Sequence, residues 1–140
     1  MRKKYENTLL KNKAMNNDVY KLRRQVIALI HEANKLVDLP RINVRITEND
    51  TNIAGVARMG KNTIWITERF VASRGLVFHE IVHAVFGLEH IPGCPLMAGD
   101  GSSLSISQVK CDRLFLKYAK LKGFKTVKKD KAETCILVAS

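Results

Sequence analysis

Two histidines four residues apart, His79 and His83, flank Glu80 in the run His79-Glu80-Ile81-Val82-His83. On a helix this spacing stacks both imidazoles on one face, one turn apart, where they can reach a single metal ion. Glu80 stands beside that face, where a carboxylate can take a proton from a water polarised by the metal. A third histidine, His90, follows within the same twelve residues. The set reads as a Zn2+ site for metal-assisted hydrolysis, with His79, His83 and His90 as ligands and Glu80 as the catalytic base. Two blander readings stay open: histidines that merely line a polar helix face, and a noncatalytic zinc site whose fourth ligand is Cys94 or Glu89.

Those residues need a helix that stops in the right place. Ser73 is a suitable N-cap, Leu76, Val77, Ile81, Ala84 and Val85 supply a buried side, and Gly87 suits the left-handed conformation that ends a helix. The stop is required, because seven further helical residues would carry His90 about 10 Å along the axis from His83. Upstream, Asp18 is a plausible cap for a helix with Val19, Leu22, Val26, Leu29, Ile30, Ala33 and Val37 on one side, closed by Pro40. His31, in that helix, lacks a partner at ligand spacing and reads as an ordinary surface histidine. Ile42 to Thr47, Ala54 to Met59 and Thr63 to Thr67 alternate as strands, with Glu48 to Asn52 as a loop and Gly60-Lys61-Asn62 as a hairpin turn, which predicts three antiparallel strands. Trp65 reads as a packing residue or as a wall of the cleft. Ile91 to Ser103 is a Pro- and Gly-rich loop. Ser105 or Ser107 can cap a last helix through Val109, Leu114, Phe115, Tyr118 and Leu121 to Gly123. The fold class is therefore α+β.

A chain of 140 residues supports one core. The expected organisation is a flexible basic segment over 1–17, the domain over 18–123 and a basic tail over 124–140, which is either disordered or adds a short strand. No apolar run has the length of a signal peptide or a membrane span, so a cytoplasmic protein that does not enter a membrane is expected. Cys94, Cys111 and Cys135 lack the spacing of a disulfide framework. The net charge of +11 is uneven: +4 over residues 1–16, +1 over 17–39, zero over 40–112 and +6 over 113–140. Cationic ends are most often solvated, and the alternative is a nucleic-acid contact through the basic termini.

From about residue 60 to 121 the chain resembles the metzincin metallopeptidases, and most closely their matrixin-type members. The match consists of His79, Glu80, His83, Gly87 and His90, then Leu96-Met97 in the manner of the family's Met-turn, then Leu104-Ser105 opening onto the last helix. The resemblance implies a minimal zincin-like domain with an N-terminal helix, a small sheet, a zinc-site helix, a Met-turn-like loop and a C-terminal helix. It also implies hydrolysis of peptide bonds in a protein or peptide substrate, with Met97 packed beneath the metal. An extended substrate would pair with the strand from Ala54 to Met59. The spacing departs from the family by one residue: Glu89 occupies the strict position of the third ligand and His90 lies one beyond. A turn longer by one residue would deliver His90, and imidazole is the third ligand that the family favours. Without the matrixin propeptide and signal, an intracellular and constitutively folded variant is implied. The histidine spacing also resembles that of a bacterial rRNA-processing endoribonuclease family, which characteristically lacks the glutamate. A zinc-binding interaction protein without turnover is the other alternative.

Overall fold

From Arg2 to Leu36 the chain has neither glycine nor proline and is well supplied with Leu, Lys, Arg, Ala and Met, residues that lose little on entering a helix. The computed structural model forms this stretch into one helix, α1 (Arg2–Leu36). It describes the backbone of residues 2–48 and 54–127, and the side chains of 18–48 and 54–127. The segment expected to be flexible is thus helical from Arg2 onward, and Asp18 lies inside α1 instead of capping it. Val26, Ala33 and Val37 are fully buried, with Leu22, Leu29 and Ile30 packed against the core, as the apolar spacing predicts. His31 is exposed.

β1 (Asn43–Thr47), β2 (Gly55–Arg58) and β3 (Thr63–Thr67) form one sheet in the order β1-β3-β2. β2 and β3 are the antiparallel hairpin that the turn chemistry predicts, with Gly60 and Asn62 at positive φ. β1, however, runs parallel to β3, with Val44 opposite Ile64 and Ile46 opposite Ile66. The sheet is mixed, which corrects the expectation of three antiparallel strands. Side-chain alternation is the same for either strand direction. The crossover from β1 to β3 contains the whole of β2, which gives the long connection that parallel neighbours require. β3 is the centre of the sheet, and its Ile64, Ile66 and Thr67 are completely buried. β2 is an edge. Trp65 is half-buried under the Arg58 guanidinium, 5.8 Å from its ring.

α2 (Arg74–Ile81) begins at Ser73, whose hydroxyl accepts from the Leu76 N–H at 3.2 Å, and every residue from Gly75 to Ile81 is buried. The next residues, Val82–Phe86, widen into a π turn that Gly87 ends at φ 70°. The Ala84 carbonyl there accepts from the Gly60 N–H at 2.9 Å, so the β2–β3 hairpin is fastened to the end of the site helix. A 3-10 turn, Ser102–Ser105, packs so closely on α2 that a Cβ at Gly75 would come 1.9 Å from the Ser103 carbonyl oxygen.

α3 (Gln108–Leu121) starts at Ser107, whose side chain accepts from the Lys110 N–H. It buries Cys111, Phe115, Tyr118 and Ala119, whereas Val109 and Leu121, expected on that side, are 75% and 68% exposed. Arg74 joins α2 to α3 through two parallel bonds to Asp112, 3.0 and 2.9 Å long. Past Gly123 the chain returns to the end of α1: Val37 bridges Thr126, Asp38 N–H donates to Lys125 and Val127 N–H to Leu36. The ordered unit thus includes the first residues of the expected tail. The loop over 49–52 and the tail from Lys128 with Cys135 lie outside the described residues. Among the described residues, no helix is long and apolar enough to cross a membrane.

Candidate metal centre and cleft

His79 comes from the last turn of α2, His83 from the π turn and His90 from the segment after Gly87. The three rings converge, with centroids 4.6, 5.3 and 4.8 Å apart, and one nitrogen from each lies within 4.8 Å of the others. This cluster could hold a metal ion. The Nε2 atoms of His79 and His83 are 3.1 Å apart. Two imidazole ligands of one tetrahedral zinc stand about 3.3 Å apart at ordinary Zn–N distances.

The protons on these rings are fixed by their other contacts. His79 Nδ1 donates to the Leu96 carbonyl and His83 Nδ1 to the Leu88 carbonyl, both at 2.5 Å. A carbonyl can only accept, so each neutral ring keeps its proton on Nδ1 and turns a bare lone pair outward at Nε2. Two lone pairs facing one another at this distance repel unless a cation lies between them. Such carbonyl contacts also set the tautomer and orientation of histidines that bind metal. The donor set, three imidazoles and no thiolate, suits zinc and other imidazole-binding transition metals.

Burial keeps the His79 and His83 rings in the form a ligand needs. It pushes His79 down to about 4, against the opposing pull of the Leu96 hydrogen bond, and His83 is lowered for the same reason. Near neutrality protons therefore compete little with a metal for these two rings. Glu80, only 3% exposed, is pushed up to about 8 by burial. A dication beside it acts in the opposite sense, favouring the carboxylate.

The π turn explains how the longer spacing is accommodated. A π turn holds one residue more than an α turn, and here the N–H groups of Gly87 and Leu88 both point to the Val82 carbonyl. The extra residue is taken up before the glycine, and His90 joins the cluster. Glu89 lines the cleft but is not in the histidine group. Cys94 is turned toward α3, with its Sγ 2.8 Å from the Tyr118 hydroxyl. Neither candidate for a fourth ligand is part of the cluster, which among the described residues has three protein donors.

The histidines and Glu80 line a cleft of about 980 Å³. One wall is β2, with Gly55, Val56 and Ala57, and another is the loop from Ala98 to Leu104. Trp65 is not among the lining residues, so it packs on the sheet and forms no cleft wall. Met97 is fully buried in the loop whose Leu96 carbonyl orients His79.

Two glycines that the motif did not single out set the geometry of the site. A Cβ at Gly55 would stand 2.8 Å from the Glu80 Oε2, and a Cβ at Gly99 would stand 2.6 Å from the His90 Nδ1. Gly55 carried a signal in the sequence, since glycine inside a strand often marks a close approach. Gly99 was hidden in a Gly-Asp-Gly stretch that reads as an ordinary turn. Gly99 is absent from the positive-φ positions, so alanine fits its backbone and only the contact with His90 opposes it. Gly99→Ala is therefore expected to keep the fold and, by displacing the His90 ring, to weaken metal binding by roughly 10- to 100-fold, the range seen when the surroundings that orient a ligand are disturbed. Chelator competition measures this, and unchanged affinity would mean that the His90 ring is not held against Gly99. No family model matches the chain, and neither the curated proteins nor the solved structures compared with it contain a match.

Proposed function

We propose that the chain is a metzincin-like, matrixin-type zinc metallopeptidase that hydrolyses peptide bonds at the His79–His83–His90 centre. The observation that carries this reading is the sharing of one cleft by an open cluster of three imidazoles, the buried Glu80 carboxyl and the free edge of β2. Zinc held there would supply a Lewis acid that acidifies a water and polarises the scissile carbonyl.

The rest of the chemistry belongs to side chains of the chain itself. Glu80 accepts the proton of the attacking water and returns it to the leaving amine, a role that needs a carboxylate close to the ligands but not spent as one. The Leu96 and Leu88 carbonyls hold the two helical imidazoles in a single tautomer. Among the described residues no strand pairs with the outer edge of β2, so an extended substrate can add to it as a further strand by backbone hydrogen bonds. Val56, Phe70, Leu76 and Leu104 give the cleft apolar walls suited to the side chains of an unfolded protein. Cys94 and Cys111 are free thiols, in keeping with a peptidase that works in the cytoplasm.

Protein purified without chelators is expected to contain about one zinc per chain and to cleave unfolded casein or peptides from a mixed library. Removal of zinc should stop the cleavage and its return should restore it. Less than a tenth of an equivalent, unrestored by added zinc, overturns the metal site. A zinc-loaded protein that cuts structured RNA and no peptide replaces the peptidase with the endoribonuclease alternative.

A further inference from the structure

We propose that the outer face of α3 is a docking surface for the phosphate backbone of double-stranded nucleic acid. Lys110, Arg113, Lys117 and Lys120 follow one another at intervals of three, four and three, which places them on a single side of the helix. All four are exposed, opposite the buried Cys111, Phe115 and Ala119. Lys122 and Lys125 continue the same charge past the end of the helix and are exposed too.

A solvated helix face ordinarily mixes signs, so that each cation has an acid three or four residues away. Here the only acid from Gln108 to Val127 is Asp112. Both of its oxygens are taken by Arg74 from α2, so it does not neutralise the row. Among the described residues none of the four cations forms an ion pair. Neighbours of like charge at these spacings repel, and a row of anions lying alongside would relieve that repulsion.

The row is about 15 Å long at the helical rise per residue, which matches about four successive phosphates of one strand. Nothing in it is shaped to read base edges, so the contact is independent of sequence. A membrane surface fits less well. The strongly exposed apolar residues of α3, Val109 and Leu121, lie at its two ends, and between the cations only Leu116 adds apolar surface, in a shallow groove shared with Leu121, while Leu116 is itself packed against the core. None of the four cations lines the metal cleft, so this surface is separate from the proposed peptidase site and stands without it.

The test is the binding of the full chain to a fluorescently labelled mixed-sequence DNA duplex of 25 base pairs, followed by anisotropy over a range of salt concentrations. Four phosphate contacts predict a slope of log affinity against log salt of about −3.6. The triple variant Arg113→Gln, Lys117→Gln, Lys120→Gln should lose about 2.7 of that slope and bind roughly 10²-fold more weakly at 0.1 M salt. Circular dichroism and zinc content of the variant should match those of the wild type. The comparison is Lys128→Gln, Lys129→Gln, Lys131→Gln, which removes the same charge from the basic tail and is expected to change the slope much less. An equal or larger loss in that comparison, or no loss in the α3 variant, overturns the proposal. Wild-type binding to vesicles containing 30% phosphatidylserine, without binding to the duplex, overturns it in favour of a membrane surface.

Discussion

Glu80→Gln is expected to lower peptide hydrolysis by roughly 10²- to 10⁴-fold while the protein stays folded and keeps its metal. That range corresponds to about 2.7–5.5 kcal/mol of transition-state stabilisation. Glu80 is almost completely buried, and glutamine matches its shape, so packing against Gly55 is preserved. The exchange also removes a group whose ionisation burial opposes, as its rise to about 8 without a metal shows. The fold therefore has no reason to suffer, and since Glu80 is not in the histidine cluster the affinity for zinc should change little. What disappears is the only function glutamine cannot supply, acceptance of a proton. Initial rates on a peptide that the wild type cleaves, with zinc measured on the same samples, decide the matter. Wild-type turnover in the variant would remove Glu80 from the mechanism and leave a metal site without its base.

The parts of the molecule that the sequence made legible are those encoded by local chemistry. Ser73 and Gly87 mark the two ends of the site helix because capping and the left-handed conformation depend on a single residue each. The core side of α1 and the alternation of β3 follow from apolar periodicity. What stayed hidden depends on contacts between segments distant in the chain. The parallel pairing of β1 with β3 leaves no mark on alternation. The proximity of Gly99 to His90, and of Gly55 to Glu80, becomes visible only once the strands and the loop stand around the helix. Val109 and Leu121 are apolar yet exposed, because the face of α3 in contact with the core is made by Cys111, Phe115, Tyr118 and Ala119, and Val109 falls on the cationic side of the helix. The uninterrupted α1 shows the opposite error. A polar, weakly periodic stretch reads as loose, but it holds no residue that breaks a helix, and the helix that starts downstream runs through it.

The π turn makes a sharp claim about which residue closes the metal site, and His90→Ala tests it against Glu89→Ala. The extra residue in Val82–Phe86 lets Gly87 end the helix and brings His90 to the other two rings, while Glu89, one position earlier, lines the cleft outside the cluster. With His90 as the third ligand, its removal would take away one of three bonds to the ion. The expected loss of zinc affinity therefore exceeds the roughly 100-fold that forms the upper end for a supporting contact. Glu89→Ala removes only a nearby negative charge, one that favours a protonated His83. Its effect on zinc should stay within a few-fold, because a rim carboxylate in water interacts weakly with the ion. Competition against a graded series of chelators gives both numbers, and cobalt substitution adds an independent readout, since the visible spectrum responds to the number of ligands. Equal affinities for the wild type and His90→Ala would move the third ligand to Glu89, at the strict family spacing. A large loss in His90→Ala alone would tie the π turn to the metal site that it serves.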